Sequence, residues 1–192
     1  MIPVLRTPVD TLRVLVDWKC NLTCIYCCNE QARFRSAILP VALSSINFTK
    51  YKTVCISGGE PLLFPGRVVI LSEKARAAGA FVVLYTNGTL MTPELSEILM
   101  LAGVQAINVG LHVPESLERL IRKVGAYTAD SGMQVRYHLC DSYRSLELEK
   151  DFPRAAFRYW AMDDCDRDNE ERVVLAAEPR GTAYLMRLEG KP

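Results

Sequence analysis

Three cysteines, Cys20, Cys24 and Cys27, fall in the stretch Cys20-Asn21-Leu22-Thr23-Cys24-Ile25-Tyr26-Cys27 with the spacing Cys-x3-Cys-x2-Cys. In one tight loop they can aim their sulfurs at a common centre. Soft thiolates select zinc or iron–sulfur clusters. Three thiolates on a [4Fe–4S] cluster leave the fourth iron without a protein ligand, open to a substrate or cofactor. The competing chemistry is a structural zinc knuckle or a redox pair. A four-ligand zinc site usually brings paired Cys/His motifs downstream, and this chain has none. Cys28 follows Cys27 directly. Adjacent Cα atoms are about 3.8 Å apart and neighbouring side chains diverge, so the expected ligands are Cys20, Cys24 and Cys27, with Cys28 a packing residue that opens the next helix.

Two further motifs follow in order, each at the end of an apolar run: Ser57-Gly58-Gly59-Glu60-Pro61 and Thr86-Asn87-Gly88-Thr89. Paired glycines let the backbone approach a ligand closely. Taken singly, the first is also a tight strand-to-helix turn and the second a turn signal. Behind the cysteine loop, and in this order, the three motifs resemble the radical S-adenosylmethionine (AdoMet) superfamily. The resemblance spans about residues 12–140. It implies a [4Fe–4S] cluster whose open iron chelates AdoMet, reductive cleavage of AdoMet, and abstraction of a substrate hydrogen. It also implies a reducing electron donor such as flavodoxin or ferredoxin.

For single residues the resemblance implies that Tyr26 packs on the adenine, that Gly58, Gly59, Glu60 and Pro61 hold the methionine amino group, and that Thr86 and Asn87 line the AdoMet site. Where relatives show a Ser and then an Asp near the fourth strand's end, this chain has Gly110 and His112. That departure leaves the ribose contact to Asn108 or His112. Arg136, on the fifth strand, is an expected bidentate partner for the AdoMet carboxylate. His112 and Cys140 are the candidates for a catalytic role. For His112 the bland alternative is a hydrogen-bonded structural histidine; for Cys140 it is a small buried side chain. Cys55, inside a strand, reads as core.

These motifs need strands to carry them. Apolar runs at residues 12–17, 52–57, 81–86, 105–111, 134–140 and 156–162 read as six strands. Helical patterns at about 67–78, from Pro93 to near Gly103 and at 116–130 alternate with them, with Thr92 as an N-cap. A further helix is expected over 29–38. Strand–helix alternation implies parallel βαβ units. A full eight-unit barrel takes about 250 residues. The 192 residues here accommodate about six units, an α/β partial (βα)6 barrel of the radical SAM type. Its active site belongs at the carboxyl ends of the strands, where every motif sits.

The core is expected to span residues 1–162. Residues 163–192 are expected to add a charged loop and a short C-terminal β-hairpin with arms at 172–177 and 182–188. Because all three cofactor motifs precede residue 90, deleting 172–192 should spare AdoMet cleavage and harm only substrate turnover. A net charge of +1 gives no support for general nucleic-acid binding. No run is long enough to span a membrane, and the start lacks a signal-peptide pattern. Seven cysteines, an odd number crowded at one loop, form a reduced-compartment pattern, so a cytoplasmic enzyme is expected. The wide lateral opening of a partial barrel favours a peptide or partner protein as substrate. The alternatives are a small-molecule enzyme like the 7-carboxy-7-deazaguanine synthases and, from another class, a non-catalytic iron–sulfur or zinc-binding module.

Overall fold

The computed structural model describes residues 9–24, 27, 29, 38, 40–112, 116–160 and 170–176. Tyr26, Cys28, Cys165, almost all of the expected 29–38 helix and the expected hairpin arm at 182–188 lie outside the described residues. The described strands are β1 (Thr11–Leu15), β2 (Pro40–Val41), β3 (Thr53–Ser57), β4 (Phe81–Thr86), β5 (Ala106–Leu111), β6 (Gln134–Cys140), β7 (Ala156–Trp160) and β8 (Glu170–Leu175). The helices are α1 (Pro65–Ala77), α2 (Pro93–Leu101), α3 (Leu117–Thr128) and the single turn α4 (Leu148–Asp151). Thr92 caps α2 as the sequence suggests, its side chain accepting from Leu95 N–H at 3.1 Å. No described helix is long and apolar enough to cross a membrane.

All pairings are parallel, in the order β2-β8-β1-β3-β4-β5-β6-β7. The six expected strands are β1, β3, β4, β5, β6 and β7, side by side in chain order. This is the α/β partial-barrel architecture, with the sheet open between its edges β2 and β7.

Alternation along each strand divides the side chains between two faces. Leu12 and Val14, Val54 and Ile56, Val82 and Leu84, and Ile107, Val109 and Leu111 point outward. They join Val68, Leu71, Leu99, Leu120, Ile121 and Val124 of the helices in one apolar core. The opposite face lines the concave lumen and is polar in its upper half. The core therefore lies outside the barrel, between sheet and helices, which leaves the lumen to chemistry.

The tail requires a correction. The first arm of the expected hairpin is β8, which lies between β1 and β2 and runs parallel to both. Val174 is buried against Leu15 and Ile38, and Val173 and Leu175 pack on the main core. Deleting residues 172–192 would remove most of a strand interior to the sheet, so the tail is not dispensable. Cys55 also needs a qualification. It is buried, but with Val83 and Ala106 it forms a small cluster on the lumen side, apart from the main core.

Candidate active site

The cysteine loop leaves the top of β1 and is laced to the glycine turn after β3. Val16 N–H donates to Ser57 O at 2.9 Å, Gly59 N–H to Asp17 O at 2.9 Å and Glu60 N–H to Lys19 O at 2.8 Å. The approach is so close that a Cβ on Gly58 (φ +137°) would lie 2.5 Å from Asp17 O. A Cβ on Gly59 would drive into the Lys19 carbonyl. The glycines are thus needed first for one loop to lie on another. Asp17 fixes its own turn by accepting from Lys19 N–H at 3.0 Å, and Arg67 donates to Val16 O at 3.1 Å.

Glu60 is 1% exposed, and its carboxylate is consumed by this scaffold. It accepts from Leu62 N–H at 2.9 Å, Thr86 O–H at 2.7 Å and Asn87 N–H at 2.7 Å. Burial pushes its carboxyl pKa up, against these three donors, which pull it down. Glu60 and Pro61 do not line the cavity described below. The carboxylate joins the glycine turn to the end of β4. Thr86 also accepts from Gly88 N–H at 3.0 Å.

Asn87 completes the connection back to the cysteines. Its amide donates to Asn21 Oδ1 at 2.8 Å and lies 4.0 Å from the Cys20 sulfur. Its Oδ1 accepts from Thr89 N–H at 3.0 Å, and Asn21 donates to Thr89 Oγ1 at 2.8 Å. Lys123 of α3 donates to Thr89 O at 2.9 Å. From the far side of the loop, Asn29 donates to Gly58 O at 2.5 Å.

Cys20, Cys24 and Cys27 are free thiols that share one cavity of about 260 Å³ with Ser57, Gly58, Gly59, Thr86 and Asn87. Burial, then the neighbouring Cys27 and Cys20, push the Cys24 thiol up to about 11. Among the described residues no three Cys, His or carboxylate groups converge on one ion position. A four-iron cluster does not require that, because each thiolate binds a different iron. The donor set and the cavity beside it fit such a cluster.

Beneath the sulfurs the cavity runs into the lumen, where Asn108, Gly110, His112, His138 and Trp160 face it. The His112 ring occupies the space a side chain on Gly110 would fill, so the two departures at the end of β5 are one arrangement. Burial lowers the His112 pKa and favours neutral imidazole. His138 stands edge-on to Tyr85 at 5.9 Å. Cys140 is buried and lines neither cavity.

Arg136 is exposed and lines a second cavity of about 550 Å³ at the amino ends of the strands, not the cysteine cavity where it was expected. Its register explains this: Arg136 pairs with Ala156 at the start of β7, one inward position below His138. The cations of the cysteine cavity are instead Arg13 and Arg172. Arg13 forms a fork with Glu170 at 2.7 and 2.9 Å and lies 4.3 Å over the Tyr85 ring. Burial opposes the Arg13 charge, but the Glu170 hydrogen bonds together with the attraction of Cys55, Glu170 and Tyr85 raise its pKa on balance. Sequence reading missed both arginines. Arg13 was the available signal, a lone charge in an apolar strand.

Comparison with known proteins agrees with this geometry. The family model described as Radical SAM superfamily matches residues 19–131. The AdoMet-dependent heme synthase of Methanosarcina barkeri is 26% identical over 196 residues, covering 85% of this chain and 55% of its own length. The GTP 3′,8-cyclase of Microcystis aeruginosa is 32% identical over 133 residues, covering 61% of this chain and 39% of its own length. The chain thus spans about half or less of the length of these relatives. Among solved structures, Streptococcus suis SuiB bound to S-adenosylmethionine matches 87% of this chain and 47% of its own at TM-score 0.53 and 16% identity, a likeness of fold.

Proposed function

Because the chain belongs to the radical SAM superfamily, an enzyme family using a [4Fe–4S] cluster and AdoMet, we propose that it abstracts a hydrogen atom from an organic substrate held in the barrel lumen. One observation carries this reading: the three thiols, the glycine turn and the polar lumen face a single cavity. Cys20, Cys24 and Cys27 would hold the cluster, with Gly58, Gly59, Thr86 and Asn87 beside the AdoMet position. When bound, cluster and AdoMet supply reductive cleavage and the hydrogen-abstracting radical. The chain's own residues do the rest. Asn87, Asn21 and Glu60 hold the cysteine loop in place. His112 offers a neutral imidazole to ribose or substrate.

The open side between β2 and β7 suits a peptide or partner-protein segment. The names of the relatives, a GTP cyclase and a heme synthase, favour a second reading, a small molecule wholly within the lumen. Either needs a low-potential electron donor of the flavodoxin or ferredoxin kind. Reduced thiols and that donor together suit the cytoplasm. The test is anaerobic reconstitution, reduction with dithionite and addition of AdoMet. About four irons per chain and release of 5′-deoxyadenosine are expected. An intact, reduced cluster that neither binds nor cleaves AdoMet would refute the reading in favour of an iron–sulfur binding module.

A further inference from the structure

The side chain of Asn108 is buried and yet unused. Asn108 is only 7% exposed, and among the described residues its amide makes no hydrogen bond. It lines both the cysteine cavity and the second cavity below it. The other asparagines around the cysteines are committed: Asn21 donates to Thr89, Asn29 to Gly58 O and Asn87 to Asn21. Buried amides are almost always paired, because leaving one without a partner is costly. An open amide held where two cavities meet therefore points to a ligand that completes it.

Its height separates it from the cofactor. Asn108 is the register partner of Tyr85 on β4. Thr86 and Asn87, which stand beside the AdoMet position, lie beyond Tyr85 towards the carboxyl end. Gly110, at the place of the expected ribose contact, is the next inward residue of β5, about 6.6 Å higher at about 3.3 Å per residue. Below Asn108 the second cavity, about 550 Å³, has an apolar wall. Cys55, Val83 and Ala106 form a cluster apart from the main core, with Phe81 and Tyr85 packed against it. All five line this cavity. Ala106 is the next inward residue of β5 below Asn108, and Val83 is its register partner.

Resting on the reading of the lumen as the substrate site, and favouring its small-molecule form, we infer that Asn108 sets substrate specificity and that the substrate carries an uncharged cyclic amide (a lactam or lactam-like heterocycle) lying against the Cys55–Val83–Ala106 wall. A carboxamide presents a donor and an acceptor on one edge. The group that answers both at once has its own N–H and C=O side by side, the cis arrangement that a ring enforces. A peptide bond is trans, so its N–H and C=O point opposite ways and only one of them can meet Asn108. A planar ring also suits a wall of small apolar side chains, because it buries a face there while its edge is paired.

The experiment is anaerobic calorimetry on the cluster-loaded protein, saturated with AdoMet and kept without reductant so that no cleavage occurs. Three probes are titrated: 2-pyridone, a planar cis-amide; N-methyl-2-pyridone, the same ring without the donor; and N-acetylglycine N-methylamide, whose amides are trans. Asn108→Leu and Asn108→Asp are compared with the parent, the second keeping the side chain's size should the first fail to fold. Expected is saturable binding of 2-pyridone in the millimolar range or tighter, with at least tenfold weaker binding of the N-methyl form. Either variant should lose at least tenfold in 2-pyridone affinity, with less than a threefold change for AdoMet. If 2-pyridone fails to saturate, binds the variants as well as the parent, or binds no better than its N-methyl form, the inference is overturned. An equal loss of AdoMet affinity in the variants would also overturn it, making Asn108 a cofactor residue, and tighter binding of the trans amide would do so in favour of a peptide. Failure of the functional reading looks different: an intact, reduced cluster that neither binds nor cleaves AdoMet, while 2-pyridone still binds in an Asn108-dependent way.

Discussion

Replacing Glu60 by alanine isolates the contact on which the site's construction turns. The carboxylate is 1% exposed and receives three donors, Leu62 N–H, Thr86 O–H and Asn87 N–H. Each buried donor left without a partner costs about 1–3 kcal/mol. The Thr86 hydroxyl can turn elsewhere, but the two backbone N–H groups cannot, so the loss is about 4 kcal/mol. For a chain of this size about 2–4 °C accompanies each kcal/mol, so the midpoint should fall by about 8–16 °C. Glu60→Gln keeps the volume but sets an amide N–H₂ against one of these donors, and should fall between parent and Glu60→Ala. Iron content should fall too, because the carboxylate fixes Asn87, whose amide holds Asn21 beside Cys20. The assay is an anaerobic calorimetric melt of reconstituted protein, with iron per chain and AdoMet affinity measured on the same samples. Melting within about 2 °C of the parent and full iron, with a tenfold loss of AdoMet affinity, would refute the reasoning. That pattern belongs to a carboxylate that touches AdoMet directly.

Three further outcomes follow from the same geometry. Gly59→Ala must push the Lys19 carbonyl away, so iron per chain and the cluster's charge-transfer absorbance should drop well below the parent's; full loading would show that the loops separate at little cost. Cys28→Ala should keep about four irons per chain, whereas Cys27→Ala should lose most of them; the reverse result would reassign the ligands. The His112 pKa lies below its ordinary 6.5 because burial favours the neutral ring, so His112 contributes stability that is full above pH 6.5 and is lost as pH falls from there through the lower folded value. Denaturant melts at pH 7.5 and 5.5 should show a smaller loss on acidification for His112→Gln than for the parent, and equal losses would show that His112 is not responsible.

The sequence was most legible where local chemistry decides. The spans 81–86 and 134–140 are strands β4 and β6 as read, because their apolar outward faces pack on helices whose periodicity is also plain. It was least legible where a strand serves the lumen. Glu170 and Glu171 looked like the end of a solvated acidic loop and Arg172 like the start of a hairpin arm, yet all three belong to β8, because the inward Glu170 there meets Arg13 rather than water. Arg13 was hidden in the same way inside a run read simply as buried. At Arg136 the period-two face was right and the height was wrong: position along the barrel axis depends on register with β5 and β7, which no local pattern encodes. The types of Glu60, Gly59 and Asn87 were visible as motif members. Their partners, across 26 to 67 residues of chain, were not.

Those long-range partners close a loop of contacts. The cysteine loop bonds to the glycine turn through Asp17 and Lys19, the glycine turn bonds to the end of β4 through Glu60, and the end of β4 bonds back through Asn87 and Thr89 to Asn21. Each motif is therefore held by the other two, and each leaves its ligand-facing atoms on the cavity side of the ring. The arrangement explains why three short motifs, separated by about 30 residues each, act as one unit. The strands fix the three turns at one height, and the ring of buried hydrogen bonds fixes them to one another. Residues in one such network are expected to behave non-additively when removed together, because the first loss already frees the loop that the second would have released.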